Sequence, residues 1–424
     1  MTQSRRFESL DEWLAWLATL HPKQIDMSLD RVNGVLAALG IADPPYQVVT
    51  VAGTNGKGSC VALLESIYLK AGYRVGAFTS PHLIAFNERI RFAGADLDDQ
   101  SLIGVFEKIE TARGELTLSY FEASAVAAML YFADAGAEVA VLEVGMGGRL
   151  DATNAMDADC ALIVSIDLDH TDYLGPDRDV IGREKAGIVR PGRPVIVADG
   201  DPPKGLLDEI ERRGGALELI NRDFTVVPAN TGLIFQRAGS EQRQFPRPAF
   251  GGHEQLGNAA AVICAVDAMH ERLPVDDTAI AAGLESARIR GRFDRAQVDG
   301  CEWVFDVAHN PASASLLHRS LAELPPVMRT IAVFGAMRDK DLAMVVEPFV
   351  PLIERWFVGG VDSDRGATPA EIATLLRQCG ARNVTCEADV AAAARRARAH
   401  GAERVLAFGS FYTVGPAMQA VGLY

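Results

Sequence analysis

The chain has 424 residues, of which 49% are hydrophobic and 23% are charged, and its formal net charge is −15. This composition indicates a folded protein of two or three domains with sizeable cores. The negative charge, with no basic run to offset it, argues against nucleic-acid binding, and no apolar run approaches the roughly 20 residues of a membrane span. The six cysteines form no C-x-x-C pair, which argues against a disulfide framework or a zinc site and fits a reducing cytoplasm.

Two helices are predicted near the start of the chain, over 7–20 and about 28–39, because apolar residues recur there at helical spacing. The turn between them contains Asp26, Met27, Ser28 and Leu29. From the residues alone, this segment is typical of a plain connection between two helices.

The next stretch predicts a strand, a phosphate-binding loop and a helix. Apolar residues 48–52 lead into a glycine-rich turn, and apolar positions recur at helical spacing behind it. The turn consists of Gly53, Thr54, Asn55, Gly56, Lys57, Gly58 and Ser59. Backbone N–H groups, the helix N-terminus and Lys57 suit a nucleotide triphosphate, and Thr54 or Ser59 offers a hydroxyl to Mg²⁺. The alternative is a glycine-rich turn that only joins a strand to a helix, and the flanking elements favour the phosphate loop.

Further apolar runs at 74–78, 139–144, 161–166 and 194–198 alternate with helical stretches. This alternation predicts a doubly wound α/β fold with a parallel sheet. Ligands of such sheets bind beyond the carboxyl ends of the strands, and polar clusters follow these runs at 80–82, 143–154 and 167–172.

The second half of the chain predicts a small β insertion, a helix and another domain. Residues 217–247 predict the insertion, and 252–269 predict a helix that contains Asn258. A fresh series of strands and helices begins after 286–300, so we expect a domain over 1–290 and a second α/β domain over 291–424.

Three residues of the first domain suit several roles. Glu143 ends a predicted strand beside the phosphate loop, where a carboxylate suits Mg²⁺, although a surface ion pair is the alternative. His170 stands among three aspartates, which fits either a metal site or a solvated acidic turn. By composition, Lys185 is predicted to lie on a helix surface.

Residues of the second domain also leave alternatives open. Arg292, at the predicted junction, suits a phosphate clamp and an interdomain salt bridge equally. Asp306 ends the first strand of this domain, and Asn310 behind it suits helix capping. Capping does not exclude a ligand role for Asp306 or His309.

An ordered set of motifs along the chain resembles the bacterial folylpolyglutamate synthase and dihydrofolate synthase family of the Mur ligase superfamily. The motifs are G-T-N-G-K-G-S, S-P-H-L, E-V-G-M-G-G-R-L-D-A-T-N, D-H-T-D-Y-L-G, G-R-E-K-A-G-I, G-R-F and D-V-A-H-N-P. No single motif is decisive, but their order and spacing are specific. The loop departs from the standard phosphate-loop pattern because Gly53 stands four residues before Lys57 and Gly58 separates Lys57 from Ser59.

The resemblance implies an N-terminal phosphate-loop domain and a C-terminal Rossmann-like domain. It implies an ATP-dependent ligase that joins L-glutamate to dihydropteroate and further glutamates to reduced folates, with ATP and two Mg²⁺ ions. It implies that Lys185 is carbamylated and that Lys57, Lys185 and His170 are catalytic. The implied metal ligands are Ser80, Glu143 and His170. The implied ATP-binding residues are those of the loop 53–59 together with Asn258, Arg292 and Asp306.

The resemblance also implies substrate-binding residues. The pteroate set is Asp26, Met27, Ser28, Leu29, Ser119, Tyr120, Phe121, Glu122, Leu150, Asp151 and Ala152. The glutamate set is His309, Ser410 and Tyr412. Without the resemblance, Tyr120 and Phe121 fit equally well as core aromatics that begin a helix over 122–133.

The resemblance suggests a monomer. The alternatives are a monofunctional folylpolyglutamate synthase, a Mur-type cell-wall ligase, a P-loop ATPase that couples hydrolysis to a partner, and an inactive binding module.

Overall fold

The computed structural model describes residues 7–23, 25–252 and 255–424. The chain divides into two compact units. The first contains Phe86–Ala249 and Gln255–Arg288 together with the segment that ends at His82, and the second contains Leu83–Ala85 and Ile289–Tyr424. No helix within the described ranges is both long enough and apolar enough to cross a membrane.

The first unit is built on an eight-stranded sheet, counted over the residues that the structure describes. Its strands are β1 (Gln47–Ala52), β2 (Val75–Phe78), β3 (Ile90–Phe92), β4 (Ala95–Asp96), β5 (Val139–Glu143), β6 (Cys160–Ile163), β7 (Pro194–Val197) and β8 (Ala216–Leu219). Their order across the sheet is β4-β3-β2-β5-β1-β6-β7-β8. The strands from β2 to β8 in this order are parallel, as predicted. The antiparallel edge formed by β3 and β4 was not predicted.

Helices cover this sheet, and a small second sheet follows it. The helices are α1 (Leu10–Leu20), α2 (Asp30–Leu39), α3 (Lys57–Lys70), α4 (Asp99–Arg113), α5 (Tyr120–Asp134), α6 (Thr171–Leu174), α7 (Arg178–Lys185), α8 (Lys204–Arg213), α9 (Gln255–Ala268) and α10 (Asp277–Ser286). The second sheet consists of β9 (Phe224–Ala229), β10 (Gly232–Arg237) and β11 (Arg243–Phe245). It is the predicted insertion, but the predicted start was wrong, because residues 217–219 pair with β7 as part of β8.

The second unit contains a six-stranded sheet among its described residues. Its strands are β12 (Asp294–Val298), β13 (Cys301–Asp306), β14 (Thr330–Phe334), β15 (Arg355–Gly360), β16 (Val384–Asp389) and β17 (Arg404–Phe408). Their order is β12-β13-β17-β14-β15-β16, and β12 alone is antiparallel to its neighbour. The helices are α11 (Pro311–Ala322), α12 (Leu342–Val346), α13 (Pro369–Gln378), α14 (Val390–His400) and α15 (Phe411–Ala420).

Close packing against α10 fixes the position of α3, the helix that follows the predicted phosphate loop. A Cβ atom on Gly283 of α10 would meet the Cα of Ile67 at 2.6 Å. The Ser66 hydroxyl of α3 also donates to the Gly283 carbonyl at 2.8 Å. Because two of the three nearest atoms, the Cα and N of Ile67, belong to the backbone, a side chain at 283 cannot be accommodated by a rotamer change alone.

Replacing Gly283 with Ala should therefore lower the free energy of unfolding by about 1–3 kcal/mol, as overpacking does in a dense core. The matched control is Gly104→Ala in α4, where an added Cβ would meet nothing within 4 Å. That change should stabilise the chain by up to about 1 kcal/mol, because alanine favours the helix. Urea denaturation measures both, and equal unfolding free energies for the two variants would contradict this packing argument.

Candidate active site

The predicted phosphate loop connects β1 to α3 and requires glycine at two positions. Gly53 and Gly56 have φ angles of +150° and +95°, a region that other residues rarely adopt. A Cβ on Gly56 would meet the side-chain oxygen of Asn258 at 3.0 Å. The structure therefore brings Asn258 of α9 beside the loop, although the two are about 200 positions apart in the sequence.

The loop is tied to the segment that follows β6. The Thr54 hydroxyl donates to the Asp167 carbonyl at 3.1 Å and accepts from the Asp167 N–H at 3.0 Å. The Ser165 hydroxyl accepts from the Asn55 N–H at 3.1 Å. Since the Thr54 hydroxyl is occupied in this way, Ser59, which is buried at the start of α3, is the better of the two hydroxyls for a metal.

Two lysine ammonium groups meet at one backbone carbonyl of the loop. Lys185 Nζ donates to the Gly53 carbonyl at 2.8 Å, and Lys57 Nζ donates to the same oxygen at 3.0 Å. The prediction that Lys185 lies on a helix surface is wrong, because it is only 4% exposed. Lys185 ends α7 four residues after the buried Ile181, so both side chains lie on the inner face of this helix.

Burial changes the chemistry of Lys185. The loss of solvation, followed by repulsion from Lys57, lowers the pKa of Lys185 from 10.5 to about 7. A lysine with this pKa is partly an unprotonated amine at neutral pH, and the amine is the form that reacts with CO₂.

The predicted metal ligands lie at the carboxyl ends of neighbouring strands. Glu143 ends β5, is buried, and accepts the Ser80 N–H at 3.0 Å. The alternative of a surface ion pair for Glu143 is therefore wrong. His170 precedes α6, has a left-handed φ of 50°, and exposes 47% of its side chain. Its Nε2 lies 3.8 Å from a carboxylate oxygen of Asp169.

The donors fit Mg²⁺ better than a metal that needs a complete protein cage. Within the described part of the chain, no group of three or more His, Cys, Asp and Glu side chains is arranged to hold a metal. Mg²⁺ is commonly held by one or two carboxylates together with substrate phosphates and waters. The buried Glu143 carboxylate beside Ser80, near a phosphate loop, has this composition.

The two pteroate-binding segments predicted at 26–29 and 119–122 are joined by ion pairs. Arg31 donates to the Asp26 carboxylate at 3.2 Å and to the Glu122 carboxylate at 2.8 Å. His21 Nε2 lies 3.0 Å from the same Asp26 oxygen, and this hydrogen bond is the main cause that lowers the pKa of Asp26. Glu122 also closes a capping box with Ser119 at the start of α5. The Met27 side chain lies near Gly147. The Ser28 hydroxyl donates to the Asp30 carboxylate, and Leu29 directly precedes α2.

Tyr120 and Phe121 lie partly in the hydrophobic core at the start of α5. The Phe121 ring lies 5.8 Å from that of Phe78, and the Tyr120 ring lies edge-on to Phe86 at 5.8 Å. Both rings therefore pack as core aromatics, which is the alternative that the sequence left open. Both residues are half-buried, and the Arg89 guanidinium lies 5.4 Å from the centre of the Tyr120 ring.

Asp151 holds its own loop together. Its buried carboxylate accepts from the Met146 N–H at 2.9 Å, from the Thr153 N–H at 3.0 Å and from the Thr153 hydroxyl at 2.7 Å. Burial raises the pKa of Asp151, although these bonds oppose the shift. Leu150 and Ala152 flank it, half-buried and buried respectively.

In the second unit, Asp306 fastens the turn that carries Arg292. Its two carboxylate oxygens accept the Phe293 N–H and the Ala308 N–H, each at 2.8 Å. The Arg292 guanidinium lies 5.5 Å from the centre of the Phe411 ring. Asn310 caps α11 as predicted, since its side chain accepts the Ser313 N–H at 2.9 Å.

The predicted glutamate residues follow two neighbouring parallel strands of this unit, β13 and β17. His309 Nδ1 lies 2.8 Å from the Val307 carbonyl, so Nδ1 carries a proton that it donates to this oxygen. The Ser410 hydroxyl is buried against that of Thr413 at 2.9 Å. Tyr412 is 47% exposed.

Comparison with known proteins identifies the family. Two family models match the chain: the Mur ligase middle domain over 51–214 and the Mur ligase glutamate ligase domain over 291–411. The dihydrofolate synthase/folylpolyglutamate synthase of Escherichia coli is 39% identical over 97% of this chain and 95% of its own length. The chain belongs to the dihydrofolate synthase/folylpolyglutamate synthase family. A relative of the same name from Mycobacterium tuberculosis is 32% identical over 78% of this chain and 74% of its own length.

Solved structures of this family share the fold over nearly the whole chain. E. coli FolC in complex with DHPP and ADP has a TM-score of 0.91 and 39% identity, with 99% of both chains covered. A bifunctional folylpolyglutamate synthase/dihydrofolate synthase with Mn, AMPPNP and L-glutamate bound has a TM-score of 0.90 and 36% identity, again over 99% of both chains. The predicted family and fold class are confirmed.

Sequence reasoning missed two residues of this family member that organise its predicted pteroate segments, His21 and Arg31. They contact Asp26 or Glu122 across up to 91 positions of sequence. A local signal existed for both contacts with Asp26, because His21 and Arg31 lie five residues before and after it, but none existed for the contact of Arg31 with Glu122.

The lowered pKa of Lys185 makes stability depend on pH. Between pH 7 and about 10, the unfolded chain holds a proton on Lys185 that the folded chain has released, so raising the pH favours the folded state. In CO₂-free buffer, the free energy of unfolding should therefore rise from pH 7.5 to 9 relative to that of Lys185→Met, by about 1 kcal/mol per pH unit.

Chemical denaturation across this pH range measures the difference. The matched control is Lys70→Met, which removes the exposed lysine that ends α3 and should leave the pH slope of the wild type unchanged. A Lys185→Met variant with the wild-type pH slope would show that Lys185 is protonated in the fold.

Proposed function

We propose that the chain is an ATP-dependent ligase that joins L-glutamate to dihydropteroate and then adds glutamates to the γ-carboxyl of reduced folates. The observation that carries this proposal is the glycine loop between β1 and α3 with the Lys57 ammonium folded over it, since loop N–H groups at a helix N-terminus together with a cation suit a polyphosphate. The E. coli relative bears the names of both activities, and solved relatives are described with ADP or AMPPNP, with Mn, and with L-glutamate. A nucleotide and a divalent cation are accordingly the cofactors.

The chemistry requires activation of a carboxylate. A carboxylate is a poor electrophile because oxide would have to leave. Its oxygen therefore first attacks the γ-phosphorus of ATP, which forms an acyl phosphate and releases ADP. The glutamate amine then attacks the acyl carbon, and inorganic phosphate leaves with the electrons of the C–O bond while the nitrogen loses a proton. No protein nucleophile is needed, so the chain contributes positioning and charge.

Residues of the first unit would hold the phosphates and metal. The loop 53–59 with Lys57 binds the nucleotide phosphates, beside Asn258. Ser80, Glu143 and His170 are the proposed ligands of two Mg²⁺ ions, which neutralise phosphate charge when bound. In the second unit, Arg292 and Asp306 are the proposed ATP-binding residues.

Lys185 is proposed to be carbamylated. Its neutral amine adds to the carbon of CO₂ and releases one proton, which leaves an anionic carbamate; starting from the ammonium form, two protons are released in all. The pKa of about 7 makes this amine available, and the change removes the repulsion between Lys185 and Lys57. The product carboxylate can order a metal that an ammonium group would repel.

Substrate positions follow the same proposal. The pteroate ring would lie against the 26–29, 119–122 and 150–152 segments, where the Asp26–Arg31–Glu122 ion pairs hold two of the three in register. The Asp151 carboxylate would act there mainly by shaping its loop, because it already accepts three hydrogen bonds. His309, Ser410 and Tyr412 are proposed for the incoming glutamate. We further propose that the enzyme acts as a monomer in the cytoplasm.

The test is phosphate release from ATP, Mg²⁺ and glutamate without pterin, with dihydropteroate and with tetrahydrofolate. We expect turnover with each pterin and none without it. Turnover with tetrahydrofolate alone would leave a monofunctional folylpolyglutamate synthase, and release that ignores pterin would favour an ATPase that serves a partner.

Lys57→Ala should reduce pterin-dependent release by about 10²–10³-fold, because one contact to the transferring phosphoryl group is lost. Lys70→Ala, at the exposed end of the same helix, is the matched control and should retain wild-type turnover. Wild-type turnover of Lys57→Ala would refute the phosphate role of the loop.

A further inference from the structure

The first unit contains a cavity of about 460 Å³, and none of the residues that line it belongs to the sets proposed for ATP, metal, pteroate and glutamate. Its walls include four arginines, Arg149, Arg190, Arg212 and Arg213, together with Asn154 and Gly187. We call it the arginine pocket. Its volume lies within the range of small-ligand sites. No acidic residue is among those that line it, in a chain whose formal net charge is −15.

The carboxylates around the arginine pocket do not fully neutralise it. Glu184 pairs with Arg149 at 3.0 Å, and Asp157 pairs with Arg190. Arg212 donates to both oxygens of Glu209, at 2.6 and 2.7 Å, and Arg213 donates to one of the same two oxygens at 2.7 Å. Four guanidinium groups are therefore served by three carboxylates, all of which lie outside the lining.

The hydrogen bonds inside the arginine pocket are crowded. The Gly187 carbonyl accepts from Asn154 Nδ2 at 3.2 Å, from Arg190 Nη1 at 3.3 Å and from Arg213 Nη1 at 3.2 Å. A carbonyl oxygen has two lone pairs, so three donors cannot all be well satisfied by it, and all three distances are long. Donors in this state gain by turning to an oxyanion, because charge-assisted bonds to Arg are stronger than bonds to a neutral carbonyl.

We propose that the arginine pocket binds a small anion that carries phosphate or carboxylate groups, at a site separate from the phosphate loop 53–59. Planar guanidinium groups pair bidentately with both kinds of oxyanion. If the proposed function holds, the reaction itself supplies both, as inorganic phosphate and as the γ-linked glutamate chain of its product.

The position of the arginine pocket couples it to Lys185. Gly187 lies two residues after Lys185 in the sequence, and Glu184 directly precedes Lys185. The Arg149 backbone N–H donates to the Glu184 carbonyl at 2.9 Å. An anion that draws the Arg190 and Arg213 guanidinium groups from the Gly187 carbonyl would disturb the segment that places Lys185 on the phosphate loop. This coupling rests on the proposed function, whereas the binding does not.

Titration calorimetry tests the binding. The protein is first saturated with AMPPNP and Mg²⁺ to fill the phosphate loop, and is then titrated with inorganic phosphate or with pterin-free tri-γ-glutamate. Arg190→Gln should weaken binding about tenfold, since a part-buried charged donor is lost, and the exposed Arg212→Gln about threefold. The matched control, Arg222→Gln, removes an exposed arginine that pairs with Asp223 elsewhere on the same unit, and should bind as the wild type does.

The probe that binds more tightly identifies the class of anion. Absence of binding by both probes, or equal affinities of the wild type and Arg212→Gln, would overturn the proposal even if Arg190→Gln fails to fold. Pterin-dependent turnover of Arg212→Gln without added anion is measured in parallel. If Arg212→Gln keeps its turnover while its anion binding is weakened, the result supports a separate site. If the wild type itself shows no pterin-dependent turnover, the proposed ligase function is overturned, but the binding result stands.

Discussion

The meeting of Lys57 and Lys185 at the Gly53 carbonyl is the interaction on which the site depends. Burying a charged lysine beside another cation is unfavourable, and the pKa of about 7 for Lys185 corresponds to a cost on the order of 5 kcal/mol for keeping it charged. The fold tolerates this arrangement because Lys185 can release its proton. The same arrangement leaves positive charge and loop N–H groups where a polyphosphate would bind, so a destabilising contact and the nucleotide site have one origin.

The rest of the first unit holds these two lysines in place. β1 and β6 pair in parallel, which brings the Thr54 hydroxyl to the Asp167 backbone and fixes the loop from one side. Glycine at 283 lets α10 lie against α3 and fixes the loop from the other. Lys185 then reaches Gly53 from the end of α7, across 132 positions of sequence. Strand register and helix packing thus set the geometry of a site whose residues are scattered along the chain.

The sequence predicted most of the elements, because apolar periodicity and glycine turns are local signals. The strand, loop and helix at 48–72 and the parallel strands that follow were predicted from such signals alone. The burial of Lys185 was not, because α7 is short and polar and its buried face is decided by packing against distant parts of the chain, such as that of Gly182 against Leu206 of α8. Composition favoured an exposed lysine, and only the family resemblance pointed to a catalytic one. The ion pair of Arg31 with Glu122 was missed for a similar reason, since both partners of a pair 91 positions apart look like ordinary surface residues in the sequence.

A ¹³C NMR measurement on protein equilibrated with ¹³C-labelled bicarbonate tests the central role of Lys185 most directly. The lowered pKa and the burial of its amine predict one slowly exchanging carbamate signal in the wild type, absent from Lys185→Met and present in Lys70→Met. A wild-type spectrum without a carbamate signal, or a signal that persists in Lys185→Met, would contradict the proposed role of this lysine.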